Sequence, residues 1–261
     1  MSHLRAVVFD LDDTLMPEMS AVEAAFHASC ASAYPSDPIL AASLVGRVQA
    51  RARELWRSAP THAYCRRVGI SSWEGLWGEF GGRAGPSRLL RAWQPQYRGL
   101  AWRLALADMG AGDPELAAGL GRTFARAVRA RLEPYPGAVA AVRAARGRWR
   151  VGLLTNGESS IQREKIAAAG FRDEFDAVLV SGDIDTGKPA AAPFRQILGQ
   201  LGTRATDTVM VGNSLASDVL GAQRIGMRAV WYGHATADGV QARPDGIVSD
   251  LSAMQDSLER L

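Results

Sequence analysis

The alternation of apolar runs with helical segments after residue 133 constrains the fold more than any other feature of this sequence. Apolar runs at 150–154, 177–181, 208–211 and 228–232 predict strands, with helices predicted at 137–146, 159–169, 193–201 and 218–225. Strands and helices that alternate in this way form right-handed βαβ units around a parallel sheet. A further apolar run at 5–11 predicts a buried strand of the same sheet. We therefore expect an α/β fold with a Rossmann-like parallel sheet core and helices on both faces.

A long helical block separates the first predicted strand from the others. From about residue 19 to 131, apolar residues recur at helical spacing, as in Val22, Ala25 and Phe26. Clusters of Gly and Pro at 58–60, 81–86 and 110–114 divide this block into several helices. The sequence therefore predicts a core domain formed by 1–16 and 133–261, into which an all-helical domain at 17–132 is inserted.

Composition and cysteine usage indicate a soluble, cytoplasmic protein. The chain is 47% hydrophobic and 22% charged, which is typical of globular domains, and no apolar run approaches the roughly 18 residues that span a bilayer. The first residues lack the basic, apolar and small-residue segments of a signal peptide. Cys30 and Cys65 are too few for a disulfide framework and lack metal-ligand spacing. We expect no membrane partner, and the sequence leaves the oligomeric state open.

The basic residues are unusual in kind and in distribution. Of the 30 basic residues, 28 are Arg, and the two lysines are Lys165 and Lys188. Residues 17–132 carry 15 Arg against 9 acidic residues, a net charge of +6, whereas the remainder carries a net charge of −3. This asymmetry suits an anionic substrate bound with a divalent cation, although the arginines are equally explained as solvated helix faces. Since there is no basic run and no reader motif, we expect no nucleic-acid partner.

Three acidic residues crowd together where the first predicted strand ends. Open parallel sheets bind ligands at the carboxyl ends of their strands, and Asp10, Asp12 and Asp13 lie at such an end. In an extended chain Asp10 and Asp12 point to the same side. Two close carboxylates resist ionising together, and a cation relieves the repulsion. Such a pair can supply one nucleophile and one general acid/base, although an acidic turn alone is often a helix cap.

Polar groups also follow two later strands. The second predicted strand ends in Thr155 and Asn156, which place a hydroxyl and backbone amides near a helix start, where they are good donors to phosphate oxygens. Lys188 lies between Gly187 and Pro189, where a lysine in this arginine-rich chain suggests that a compact point charge is required, although a solvated loop lysine explains the residue as well.

A third strand end carries the segment 212–218. Ser214 is a predicted N-cap, which places Asp218 in the first helical turn, directed back toward the end of the strand. Asp218 is therefore a candidate site residue at the carboxyl edge of the sheet.

These four pieces, in this order, resemble the haloacid dehalogenase-like superfamily. Its first motif is similar to residues 10–15 of this chain, its second to Thr155, its third to Lys188 and its fourth to 212–218. The resemblance covers the whole chain, because 17–132 resembles the helical C1-type cap that phosphatases of one subclass insert after the first motif.

The resemblance implies a Mg²⁺-dependent phosphatase that hydrolyses a small phosphorylated metabolite. Asp10 is the implied nucleophile, which becomes an aspartyl phosphate, and Asp12 is the implied general acid/base. The implied roles of the remaining site residues are as follows: Thr155, Asn156 and Lys188 bind the phosphoryl group, and Asp10, Asp12, Asp218 and Asn213 surround the Mg²⁺ ion, with Asp12 contributing through its backbone carbonyl.

Three other functions compete with this interpretation. A phosphomutase or phosphotransferase would share every motif. A haloacid dehalogenase of the same superfamily lacks a second aspartate two residues after the nucleophile, so Asp12 disfavours it. A catalytically silent binding module is disfavoured by the intact pair of Asp10 and Asp12.

One residue departs from the family pattern, which has an aspartate where this chain has Asn213. An amide oxygen can ligate Mg²⁺ or bind its water but brings no charge. We predict that Asn213→Asp binds Mg²⁺ more tightly than the natural chain in a Mg²⁺ titration. Equal or weaker binding by the variant would contradict this prediction.

Overall fold

The structure, a computed structural model, describes residues 4–83, 85–233 and 242–261 and divides the chain into two compact units. The first, here called the sheet unit, consists of Met1–Pro17, Glu133–Glu158 and Gln162–Leu261. The second, the helical unit, consists of Glu18–Leu132 and Ser159–Ile161. None of the helices in the described residues is long and apolar enough to cross a membrane.

The helical unit is built from α1 (Glu18–Ala33), α2 (Pro38–Arg57), α3 (His62–Val68), α4 (Ser72–Trp77), α5 (Gly85–Ala107) and α6 (Pro114–Arg129). The breaks after α2, α4 and α5 fall at the Gly and Pro clusters that the sequence indicated, whereas the breaks after α1 and α3 were not predicted. Helices α2 and α6 have strong starts, because an aspartate precedes a proline in each. Asp37 accepts hydrogen bonds from the second and third amides of α2, and Asp113 does the same for α6.

Aromatic side chains hold the helical unit together. Phe26 of α1 stacks on Phe124 of α6 with ring centroids 4.3 Å apart and meets Trp73 of α4 edge-on at 5.4 Å. Trp56 of α2 packs against Tyr97 of α5 at 5.2 Å. The core of this unit is therefore formed by aromatic contacts between helices that are distant in sequence.

The sheet unit contains six parallel strands in its described residues, in the order β3-β2-β1-β4-β5-β6. They are β1 (Ala6–Phe9), β2 (Arg150–Thr155), β3 (Ala177–Val180), β4 (Thr208–Gly212), β5 (Arg228–Tyr232) and β6 (Gly246–Val248). The helices of the unit are α7 (Ala138–Arg146), α8 (Ser159–Ala168, apart from its first three residues), α9 (Ala191–Leu201), α10 (Leu220–Gln223) and α11 (Met254–Glu259). The predicted α/β fold is confirmed. β6 was not predicted, because it has only three residues, of which two, Ile247 and Val248, are large and apolar. Two apolar residues are too few to be recognised as a strand in the sequence.

Both faces of the sheet are covered at its centre. All four residues of β1 are completely buried, and successive strand residues point to opposite faces. On one face α9 approaches β2 closely, since a Cβ added to Gly152 would lie 3.0 Å from Leu201 and 3.2 Å from Ile197. This double burial explains why the strands read as continuous apolar runs in the sequence.

The strand register gathers the polar residues at one edge. Phe9 is level with Leu153 of β2 and with Val211 of β4, so the three central strands end together. The backbone N–H of Asp10 continues this pairing by donating to the carbonyl of Val211 at 2.9 Å. The chain order reverses at β1, with β2 and β3 on one side and β4 to β6 on the other. Such a switch point is where open α/β sheets bind ligands.

A steric prediction follows from the aromatic core of the helical unit. A Cβ added to Gly75 would lie 2.4 Å from the ring of Trp56 and 2.8 Å from that of Tyr97, so Gly75→Ala should lower the free energy of unfolding by about 1–3 kcal/mol. Gly46, in α2, has no atom within 4 Å of the added Cβ, and Gly46→Ala is the control, expected to gain about 0.5–1 kcal/mol. Urea unfolding followed by circular dichroism measures both. Equal stability of the two variants would contradict the packing described here.

Candidate active site

A single ammonium group joins two buried carboxylates at the carboxyl edge of the sheet. Lys188 Nζ lies 2.6 Å from Asp10 Oδ1 and 2.7 Å from Asp218 Oδ1. The three side chains come from the end of β1, the loop after β3 and the turn after β4, and each is at most 10% exposed. Three of the predicted site residues are therefore brought into direct contact.

The electrostatics of this cluster are dominated by burial. Burial and then the charge of Asp218 raise the pKa of Asp10 to about 7, although Lys188 acts in the opposite direction. Burial also lowers the pKa of Lys188, but the charges of Asp10 and Asp218 outweigh it, so the pKa of Lys188 is raised above its ordinary value. The cluster therefore contains two acidic groups and only one basic group.

Asn156 fixes the backbone that carries Lys188. Its Oδ1 accepts from the Lys188 N–H at 2.8 Å, and its Nδ2 donates to the Lys188 carbonyl at 3.0 Å. The side chain of Asn156 is thus engaged with the loop of Lys188, whereas the sequence prediction for this residue concerned the backbone amides after the strand. Any contact of Asn156 with a phosphoryl group would come from its backbone.

The turn after β4 aims Asp218 at the strand end. Ser214 caps the helical segment as predicted, since its hydroxyl accepts from Ser217 N at 3.1 Å. Asp218 lies in the following π-helical turn, Leu215–Val219, and its Oδ2 accepts from Ser214 N at 3.0 Å. A Cβ on Gly212 would come within 2.3 Å of that carboxylate, so the end of β4 has room only for glycine.

Asn213 is held beside the first motif. Its backbone N–H donates to Thr14 Oγ1 at 2.9 Å, and the Thr14 hydroxyl lies 3.4 Å from Asn213 Oδ1. The indole N–H of Trp231 donates to the Asn213 carbonyl at 2.7 Å. The amide oxygen of Asn213 therefore lies next to the loop that begins with Asp10.

Asp12 does not continue the strand, because β1 ends at Phe9 and residues 11–16 form a tight turn closed by the hydrogen bond from Leu15 N to Leu11 O. The carboxylate of Asp12 contacts two side chains of α8. Lys165 Nζ lies 3.1 Å from both of its oxygens, and Gln162 Nε2 lies 2.8 Å from Oδ2.

Thr155 ends β2 as predicted and is completely buried. Its hydroxyl oxygen accepts from Gln162 Nε2 at 2.6 Å. The Thr155 hydroxyl itself donates to the Asn156 carbonyl over 3.4 Å, so only this long bond would be exchanged if the hydroxyl donated to a ligand.

Sequence reasoning missed Gln162 and Lys165. A signal for Lys165 was present, because it is one of only two lysines in the chain and the other is Lys188. Both lysines lie against aspartates of the first motif. Gln162 carried no such signal, since a glutamine on a predicted helix is ordinary in an exposed or a buried setting.

Comparison with known proteins identifies the class of enzyme that this fold and site define. A family model of haloacid dehalogenase-like hydrolases matches residues 4–226. The chain belongs to this family, and the resemblance found in the sequence motifs is confirmed.

Among curated relatives, the phosphoserine phosphatase of Thermus thermophilus is 35% identical over 251 residues, which cover 95% of this chain and 96% of that protein. The pyrimidine 5'-nucleotidase YjjG of Escherichia coli is 32% identical over 141 residues, 53% of this chain and 63% of that protein. The human N-acylneuraminate-9-phosphatase is 43% identical over 83 residues, 31% of this chain and 34% of that protein.

Two solved structures share the fold. A 2-haloacid dehalogenase from Pseudomonas syringae matches with a TM-score of 0.60 and 24% identity, covering 98% of this chain and 99% of that one. The HAD-hydrolase YfnB from Bacillus subtilis matches with a TM-score of 0.64 and 18% identity over the same shares of the two chains. At these identities the similarity establishes the architecture alone.

The contacts of Asn156 generate a stability prediction. Asn156→Asp keeps the acceptor for Lys188 N but sets a carboxylate oxygen against the Lys188 carbonyl, and Asn156→Ala removes both hydrogen bonds. We expect each variant to lose about 1–3 kcal/mol of unfolding free energy in urea titrations, because buried polar groups lose their partners. Wild-type stability in both variants would contradict the role assigned to this side chain.

Proposed function

We propose that the protein is a Mg²⁺-dependent phosphatase that hydrolyses a small phosphorylated metabolite through a phosphoryl group carried on Asp10. The observation that carries the proposal is the bridge of Lys188 Nζ between Asp10 and Asp218, with Asp12 two residues along the chain. A relative named phosphoserine phosphatase, matched over 95% of this chain, supports phosphatase chemistry.

In the first step, a carboxylate oxygen of Asp10 forms a bond to phosphorus while the bond from phosphorus to the leaving-group oxygen breaks. Asp12 gives its proton to that oxygen, and the alcohol departs. In the second step, Asp12 takes a proton from water, whose oxygen bonds to phosphorus. The bond between phosphorus and Asp10 then breaks, which releases inorganic phosphate and restores the Asp10 carboxylate.

Positive charge and hydrogen-bond donors offset the charge of the transferring group. Lys188 contacts Asp10 directly, so its ammonium also lies within reach of a phosphoryl group bound there. The hydroxyl of Thr155 and the backbone amides after β2 would donate to the remaining phosphoryl oxygens. Asn156 serves by holding the Lys188 loop.

The donor set fits magnesium. Asp10 and Asp218 are buried carboxylates that share one ammonium group, so a further cation would relieve their repulsion, and carboxylate and carbonyl oxygens are the ligands that Mg²⁺ prefers. Asp10, Asp218, the backbone carbonyl of Asp12 and the amide oxygen of Asn213 would hold the ion. When bound, the ion supplies charge that neutralises the phosphoryl oxygens.

Phosphoserine is the first substrate to test, because the named relative aligns with the helical unit as well as with the sheet unit. We place the enzyme in the cytoplasm. Cys30 and Cys65 are buried free thiols, which is typical of a reducing compartment.

The proposal predicts release of inorganic phosphate from a panel of phosphorylated metabolites that includes phosphoserine. Release should require Mg²⁺, cease in EDTA and fall by about 10³-fold or more in Asp10→Asn, because the nucleophile is lost. Malachite-green detection of phosphate measures this, with circular dichroism to show that the variant is folded. Release that persists in EDTA or in Asp10→Asn would contradict the proposal.

A further inference from the structure

The carboxylate of Asp12 is held by two completely buried side chains of α8. Lys165 Nζ lies 3.1 Å from both carboxylate oxygens, and Gln162 Nε2 lies 2.8 Å from one of them. Gln162 and Lys165 are three residues apart, so they share one face of the helix. The side chain of Asp12 is 18% exposed. Its carboxylate therefore accepts hydrogen bonds from α8 and still remains accessible to solvent.

These contacts determine how the carboxylate is oriented. Rotation of a carboxyl group about its last bond is only weakly restricted by the side chain itself. One donor that reaches both oxygens and a second donor on Oδ2 restrict that rotation. Since both donors project from a single helix, their spacing is fixed by the backbone.

The side-chain amide of Gln162 is oriented so that its NH₂ group, and not its oxygen, faces Asp12, Thr155 and Asn156. Its Nε2 lies within hydrogen-bond distance of Asp12 Oδ2 at 2.8 Å, Thr155 Oγ1 at 2.6 Å and the Asn156 carbonyl at 2.7 Å. An NH₂ group has two hydrogens, so these three acceptors share them. Within the described residues, Gln162 Oε1 is buried without a hydrogen-bond partner. A carboxylate and a carbonyl can only accept, which is why the nitrogen faces them.

We propose that Gln162 and Lys165 are positioning residues that act through Asp12. They hold its carboxyl group in the orientation that delivers a proton to the leaving-group oxygen as the bond from that oxygen to phosphorus breaks. This inference rests on the phosphatase activity proposed above.

The test compares two substrates of similar shape, p-nitrophenyl phosphate and phenyl phosphate. Phenol is the poorer leaving group and needs the proton, whereas p-nitrophenolate departs readily without it. We expect Lys165→Met to lower kcat/KM about 10²-fold for phenyl phosphate and less than about 10-fold for p-nitrophenyl phosphate. Gln162→Met should likewise lower kcat/KM more for phenyl phosphate than for p-nitrophenyl phosphate. If Lys165→Met does not fold, Gln162→Met is compared with the wild type instead.

A double variant separates action through Asp12 from a general structural effect. Asp12→Asn combined with Lys165→Met should lose no more activity on phenyl phosphate than Asp12→Asn alone, because residues that act as a unit are not additive. Arg163→Met is the matched control. Arg163 lies on the same helix, is 52% exposed and pairs with Asp183. The Arg163→Met variant should therefore keep the wild-type kcat/KM for both substrates.

Equal losses on the two substrates, or additive losses in the double variant, would overturn the positioning role while leaving the phosphatase proposal intact. A wild-type chain that releases phosphate from neither substrate in Mg²⁺ would instead overturn the proposed function, and this inference with it.

Discussion

The ion pair that Lys188 makes with Asp10 and Asp218 is the constraint on which the arrangement of the site depends. Two carboxylates buried at one sheet edge are costly without a cation, and removing one partner from such a pair leaves an uncompensated buried charge. Lys188 therefore has to be held firmly, and Asn156 does this through both polar groups of the Lys188 backbone. The register of β1 with β2 and β4 completes the arrangement, because it brings the three strand ends level.

The fold was accessible from the sequence because both faces of the sheet are buried. Strands covered on both sides read as apolar runs, and the glycines that follow the helices mark their ends, so the βαβ order was visible without a structure. Most candidate residues could be predicted once the strands were located, because open parallel sheets bind ligands where their strands end. Asp10, Thr155 and Asp218 followed from that rule, Lys188 followed from the rarity of lysine in this chain, and the motif resemblance supported all four.

The parts that escaped prediction depend on contacts between segments distant in sequence. Gln162 contacts Asp12 across 150 residues and Lys165 does so across 153, and no local pattern encodes such a contact. The bonds of the Asn156 side chain to the Lys188 loop also escaped prediction, because they depend on tertiary packing, whereas the sequence indicated only backbone amides at this position.

The proposed covalent mechanism is tested by locating the phosphoryl group on the chain during turnover. The chain would be mixed with p-nitrophenyl phosphate and Mg²⁺, quenched in acid and analysed by peptide mass spectrometry. Nucleophilic attack by Asp10 predicts a phosphoryl adduct on the peptide that contains Asp10, and no adduct on that peptide in the Asp10→Asn variant. An adduct on a different residue, or turnover by Asp10→Asn at the wild-type rate, would contradict it.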